Sequence, residues 1–415
     1  MRYLLLLVLT LFISQEIHAI KIKPWLDLSG YTRYNAYVDR RQVFGLREDY
    51  FLLYPEPYDP GCNCEDLNER GQTTMVPIET RLQLLAEAND VWCARTWAYL
   101  EADFFGVSEN TINSARLRHA FIRFEWEDDT LLVGQYWHPF FIDECYPKTV
   151  SFNLGAPFDI QALNPQFRWT HYYNNHETML AIMEQNTETS NGPKGFTTEY
   201  MRNGVLPDMQ AQYRYLWGEQ IFGAGVDVKR LAPRLATDKC CATRESIVSM
   251  CAMAYASFNF HQSHINTKVI YQENATDLLM LSSYGVSSVN PLTDYRTYTP
   301  LRAITWWLDT YYELPYHLEP GLFVGYSKNL GSKDSLYIDP LTNQPIIYAF
   351  PNAEKIDYLL RTSPRIRWYQ DPVLIGFELE YTQSSSGQCL ATNGKPTNPV
   401  TVYNVRFLVD FYYFF

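Results

Sequence analysis

The last thirteen residues restrict the fold more than any other segment of the chain. Tyr403, Val405, Phe407, Val409, Phe411, Tyr413 and Phe415 share one face of an extended strand, with Asn404, Arg406, Asp410 and Tyr412 on the other. Period two over this length is a β-strand with one apolar and one partly polar face. The pattern recurs. Around 25–38, Leu26, Leu28, Thr32, Tyr34 and Ala36 oppose Asp27, Ser29, Tyr31, Arg33 and Asn35; around 91–105, Trp92, Ala94, Ala98, Leu100, Ala102 and Phe104 oppose Arg95, Tyr99, Glu101 and Asp103. Aromatic residues make up 16% of the chain and charged residues only 19%, which suits pleated, half-buried surfaces better than helices. The apolar faces could point to the core of a soluble sandwich or to lipid around a barrel.

Connection lengths separate these two. Alternating segments lie near 25–38, 75–88, 91–105, 114–126, 130–138, 164–173, 178–185, 208–217, 220–231, 245–260, 264–272, 301–312, 317–329, 356–369, 373–383 and 400–415, which predicts sixteen strands. Short turns at Asn89-Asp90, 127–129, 174–177, Gly218-Glu219, 261–263, 313–316 and 370–372 alternate with long loops at 39–74, 106–113, 139–163, 186–207, 232–244, 273–300, 330–355 and 384–399. Short periplasmic turns opposite long external loops, with both termini on the short side, are the signature of an up-and-down transmembrane β-barrel. The fold class is therefore all-β: an antiparallel barrel of about sixteen strands, closed because hydrocarbon offers open sheet edges no partners.

Residues 1–19 read as a signal peptide. Arg2 forms the positive n-region, Leu4 to Ile13 the apolar h-region, and Ile17-His18-Ala19 the cleavage site. Ile20 follows where a lipoprotein would need Cys, and residues 20–415 form the barrel as one domain. Mean hydropathy is −0.26, and no later segment approaches the length of a transmembrane helix. Net charge is −12 with no Lys/Arg stripe, so nucleic acid is not an expected partner.

Three segments carry a family resemblance: Arg116-Leu117-Arg118-His119-Ala120-Phe121, Leu132-Val133-Gly134-Gln135-Tyr136-Trp137 and Asn164-Pro165-Gln166-Phe167-Arg168-Trp169. With the terminal strand they resemble the trimeric outer-membrane porins, particularly the DcaP-like group. The resemblance implies a sixteen-stranded homotrimeric channel in the outer membrane of a Gram-negative-type bacterium, passing small anionic solutes such as dicarboxylates. Lipid and lipopolysaccharide would surround it. The terminal strand looks like a barrel's assembly signal, in which Phe415, Tyr413 and Phe411 would be read by the barrel-assembly machinery. Some members of the group carry a coiled-coil extension before the barrel; here only 20–24 precede the first strand.

In general porins the third long loop folds inward, so 139–163 is the expected constriction. Phe140, Phe141, Phe152 and Phe158 would pack on the wall while Asp143, Glu144, Lys148 and Asp159 face the solute path. Arg81, Arg95, Arg116, Arg118, Arg168, Arg214, Arg365 and Arg367 lie in strands, most on polar faces. The planar, permanently charged guanidinium suits carboxylate recognition, and pairing with Glu101, Asp103 or Glu378 is the competing role. Arg116, Arg118 and Arg168, with Arg365 and Arg367 opposite, form the expected anion ladder.

No cofactor or metal site is expected. Of eight cysteines, Cys62, Cys64, Cys145, Cys240, Cys241 and Cys389 fall in long loops and Cys93 and Cys251 in strands, which favours loop staples; neither Cys62-Asn63-Cys64 nor Cys240-Cys241 has the spacing and His complement of a zinc site. Two other function classes compete with a channel. His261-Gln262-Ser263, with Asn266 to orient the His, has the spacing of a phospholipase-like barrel hydrolase but sits in a short periplasmic turn. The loops 39–74 and 273–300 are long enough for an adhesin or receptor.

Overall fold

The computed structural model describes residues 20–23 and 25–415; the expected signal peptide lies outside the described residues. Sixteen antiparallel strands close into a barrel. In chain order they are β1 Leu26–Asp39, β2 Gln72–Val76 continued by Arg81–Val91, β3 Ala94–Asp103, β4 Arg116–Glu125, β5 Asp129–Trp137, β6 Leu163–Tyr173, β7 His176–Met183 and β8 Asp208–Trp217. The second half comprises β9 Gln220–Leu231, β10 Ile247–Phe260, β11 Ser263–Glu273, β12 Arg296–Tyr312, β13 Leu318–Ser332, β14 Ile356–Gln370, β15 Val373–Ser386 and β16 Val400–Phe414. Each strand pairs with the next, and β16 returns to β1 with Phe414 opposite Tyr31 and Arg406 opposite Asp39.

Phe415 completes the seam. Its N–H donates to Gly30 O at 3.0 Å and its carbonyl accepts from Gly30 N–H at 2.9 Å. A Cβ on Gly30 would sit 2.3 Å from Arg81 O and 2.9 Å from the Phe415 ring, so only glycine lets β1, β2 and the chain end meet here.

The alternation sorts residues as expected. Outside, Phe407, Phe411 and Tyr413 are exposed, while Asn404, Arg406 and Asp410 are fully buried inside. Exposed Trp92, Trp126, Tyr173, Trp217, Phe260 and Tyr312 stand at or beside the short turns, the aromatic girdle a membrane barrel needs at headgroup level.

Two details differ from the expectation. The first turn falls at Trp92-Cys93, both at positive φ (53° and 60°), instead of Asn89-Asp90. Asn and Asp are the usual turn formers, but the β2–β3 register, with Leu84 opposite Leu100, keeps the strands paired beyond them; Cys93 is therefore a turn residue. The second strand begins at Gln72 and breaks at 77–80, where Pro77 has no N–H to donate and Glu79 turns inward to pair with Arg33.

The interior is packed. The loop after β1 folds in as a hairpin, Val43–Leu46 against Phe51–Pro55, and meets the 138–162 loop. Tyr50, Phe51, Leu53, Tyr54, Phe105, Phe140, Phe152 and Phe158 form one core with Tyr37, Trp307 and Phe323 of the wall. Burying each such side chain contributes about 1.5–3 kcal/mol, so these two loops are structural parts of the barrel.

Candidate functional site

The connection from β5 to β6 runs through the barrel, and its contacts cross to the far wall. Its neck is closed by His138 N–H donating to Ala162 O at 2.9 Å. On β11, Lys268 donates to Phe140 O at 3.0 Å and pairs with Asp159 at 2.7 Å. On β12, Asp309 accepts from Lys148 N–H at 3.2 Å and Tyr311 OH accepts from Lys148 Nζ at 2.8 Å. On β14 and β15, Arg361 donates to Ala156 O at 2.6 Å, Glu378 accepts from Ser151 N–H at 3.1 Å, and Glu380 accepts from Asn153 Nδ2 at 3.0 Å. On β1, Arg33 Nη2 donates to Val150 O at 2.8 Å. The segment thus lies across the lumen, with Phe140, Phe141, Phe152 and Phe158 buried against the wall as expected.

Its charged side chains divide. Asp159 does not face a solute path; it is fully buried with Lys268, because the loop's return limb lies inside the apolar core. Asp143 accepts from Tyr136 OH at 2.8 Å and Glu144 pairs with Arg214 at 2.8 Å; both remain partly exposed. Burial and then the neighbouring Glu144 charge push the Asp143 carboxyl up to about 6.

Seven of the eight strand arginines are held by carboxylates. Arg116 grips Asp103 through Nε at 3.0 Å and Nη2 at 2.6 Å, and Arg365 grips Asp309 at 2.6 and 2.9 Å. Arg118 Nε lies 2.8 Å from Glu101, which Arg81 approaches at 3.5 Å while also pairing with Glu79 at 2.8 Å. Arg214 bridges Glu144 and Glu177, Arg367 bonds Glu319 through Nε at 2.8 Å, and Arg95 pairs with Glu87 at 2.8 Å on the periplasmic rim. Arg168 differs. Its Nε donates to Gln166 Oε1 at 2.9 Å and its Nη2 to Trp137 O at 2.5 Å, and among the described residues no carboxylate pairs with it.

Heights along the barrel also depart from the expected ladder. Arg116 and Arg118 begin β4 at the external end, whereas Arg365 and Arg367 lie three to five residues from the periplasmic end of β14. β4, β6 and β14 all run from an external loop to a periplasmic turn, so position along the strand sets the height, and Arg365 and Arg367 lie toward the opposite end of the barrel from Arg116 and Arg118. A cavity of ≈ 190 Å³ near the periplasmic end is lined by Thr149, Val150, Arg367, Leu374, Asp410, Tyr412 and Phe414.

Other inward cations did not enter the sequence-based site. Arg33 pairs with Asp410 and Glu79, Arg406 with Asp39 at 2.7 Å, Arg361 with Glu380 at 2.8 Å, and Lys229 with Asp277. Alternation already placed Arg33 and Arg406 on polar faces; what the sequence lacked was the inter-strand register that supplies their partners.

The expected loop staples are not formed: all eight cysteines are free. Cys145 and Cys251 point into the inner wall, with Sγ 3.5 Å from Ala256 O and 3.8 Å from Glu273 O respectively. Ion pairs tie the loops instead, Arg41 with Asp66 at 2.6 Å and Arg234 with Glu245 and Asp294 at 2.9 and 2.7 Å. Nor is a hydrolase triad assembled at the turn. His261 is exposed, and Asn266 donates into the barrel to Tyr146 O at 3.3 Å. The His beside the turn that makes contacts is His264, with Asn259 Oδ1 at 2.7 Å and Glu313 at 3.4 Å.

Neither a protein-family description nor a curated protein matches the chain. Solved structures do. The outer membrane channel DcaP of Acinetobacter baumannii superimposes with a TM-score of 0.67 at 15% identity, over 95% of this chain and 99% of that one. An anion-selective porin from Comamonas acidovorans gives 0.54 at 7% identity over 94% and 99%. The trimer form of in-vitro folded OmpT, an outer membrane protein of Vibrio cholerae, gives 0.51 at 9% over 94% and 99%. At these identities the similarity is one of fold: the chain has the sixteen-stranded barrel of the outer-membrane porins.

Proposed function

We propose that the protein is an outer-membrane porin of a Gram-negative-type bacterium, a homotrimeric channel for passive diffusion of small hydrophilic solutes with a preference for carboxylates. The observation that carries this reading is the closed barrel with an apolar outer belt, a charged inner wall and a loop laid across the lumen. Closure satisfies every strand edge, the outer belt dissolves in hydrocarbon, and the inner wall keeps water-compatible groups along the axis. The trimer follows the sequence resemblance and the trimer form of a structural neighbour.

Anion preference rests on wall charge at the narrowing. Surface charge farther than a Debye length of roughly 8–10 Å from the lumen is screened there, so the chain's net charge of −12 does not by itself set the selectivity. Arginines pinned bidentately, such as Arg116 and Arg365, are neutralised locally and act as wall. Arg168, with no carboxylate partner, and Arg367, partly exposed beside the 190 Å³ cavity, are the groups that would meet a passing carboxylate. Weak successive contacts of this kind permit flux.

Planar-bilayer recording tests the reading. Stepwise conductance in groups of three, with a reversal potential in a salt gradient favouring anions, is the expected result. Arg168→Ser should move that potential toward cations, and the double variant Arg116→Ser with Asp103→Asn, which removes an already neutralised pair, should move it much less. A sealed barrel would refute the channel, and a cation-selective wild type would refute the anion preference.

A further inference from the structure

Where the constriction loop leaves β5, three side chains converge that none of the ion pairs above uses. His138 is the first residue of the loop, Asp208 the first of β8, and Asp227 faces inward from β9. Gln210 stands opposite Asp227 in the β8–β9 register, which makes Asp208 and Asp227 diagonal neighbours on the inner face. All three groups are buried, at 0%, 2% and 2% exposure. One donor atom from each lies within 4.8 Å of the other two, and His138 Nε2 is 3.7 Å from Asp227 Oδ1. His138 Nε2, Asp208 Oδ1 and Asp227 Oδ1 all lack a hydrogen-bond partner. Two carboxylates and an imidazole held together out of water, each with an orphaned atom, leave a buried negative charge that a shared proton or a bound metal ion offsets. The nearby cation Lys229 is committed to Asp277.

We propose that His138, Asp208 and Asp227 bind a divalent transition metal ion, Zn²⁺ by preference, which fastens the neck of the constriction loop to the β8–β9 wall. One imidazole nitrogen with two carboxylate oxygens suits zinc, whereas Ca²⁺ asks for about six to eight oxygen ligands. With zinc bonds of about 2.0–2.2 Å, a tetrahedral ligand edge is about 3.4 Å, so the 3.7 Å separation closes by a few tenths of an ångström. The ion's charge offsets both carboxylates. A ring bound through Nε2 carries its proton on Nδ1; that atom now accepts from Phe140 N–H at 3.2 Å, so loading breaks this contact. Gln210, whose Oε1 is also unpartnered, stands beside Asp227 as a further oxygen donor. The three ligands come from positions 138, 208 and 227, with no local spacing motif, and only the barrel register brings them together.

The test uses the full barrel in detergent, with accessible cysteines blocked by iodoacetamide and metal stripped by EDTA, then dialysed against limiting Zn²⁺. One ion retained per chain, a rise in the unfolding temperature with Zn²⁺, and at least tenfold weaker binding in both Asp208→Asn and Asp227→Asn support the site. No retained ion in the wild type, or unchanged binding in both variants, overturns it. Should the variants not fold, X-ray absorption at the zinc edge of the wild type decides. A first shell of nitrogen and oxygen at about 2.0–2.2 Å supports the assignment, and a sulfur shell at about 2.3 Å overturns it. None of these readouts depends on conduction, so failure here and failure of the porin reading are distinguishable.

Discussion

Replacing Lys268 with Met should loosen the constriction loop without dissolving the barrel. Lys268 and Asp159 are both fully buried, 2.7 Å apart, and Lys268 also holds Phe140 O at 3.0 Å. Removing one partner of a buried pair costs about 3–5 kcal/mol, because the remaining charge is left uncompensated. At about 1.4 kcal/mol per tenfold, the docked loop loses roughly two to three and a half powers of ten in relative population. The sixteen strand ladders do not depend on this pair, so the loop neck moves instead, carrying the Asp159 carboxylate toward water. Single-channel recording at pH 7 should show Lys268→Met with higher conductance and added current noise. Acid should reverse this phenotype. Burial already raises the Asp159 carboxyl above its ordinary range while Lys268 opposes that rise; without Lys268, protonation lets the neutral side chain redock as pH falls. The double variant Lys268→Met with Asp159→Leu, which removes both charges, should record like wild type. A folded Lys268→Met channel with unchanged conductance and noise would refute the claim that this pair holds the loop.

Deleting Phe415 removes its two backbone bonds to Gly30 and the terminal aromatic, so the heat-modifiable folded fraction in the outer membrane should fall severalfold; normal yield would show that the chain end is no assembly signal. Asp143 should be charged at pH 7 and mostly neutral at pH 5, its carboxyl having been raised to about 6 by burial and Glu144. Because protonation removes a negative charge from the loop, anion selectivity read from reversal potentials should increase as pH drops through that range, and Asp143→Asn should abolish the increase. Mass measurement in mild detergent should give about three chains, and a clean monomer would remove the trimer while leaving the barrel intact.

The inward third loop was an expectation from the porin resemblance, whereas the period-two pattern and the alternation of short and long connections were enough to specify a closed sixteen-strand barrel and its outer and inner faces. Those are local properties: side-chain direction repeats every two residues, and connection length limits which strands are neighbours. Alternation also placed Arg33, Arg116, Arg168, Arg365 and Arg406 correctly on the inner wall. It could not say which would stay free. Arg116 finds Asp103 on the adjacent strand, Arg365 finds Asp309 two strands away in sequence order, and Arg33 finds Asp410 across the seam that joins the two ends of the chain. Partner choice depends on register and on the height at which each strand crosses the lumen, and a one-residue slip changes both. For the same reason the His138, Asp208 and Asp227 cluster, the burial of Asp159 and the packing of the 40–71 hairpin against the constriction loop were set by closure of the barrel, which brings distant segments to one depth and removes the water that would otherwise keep their charges apart.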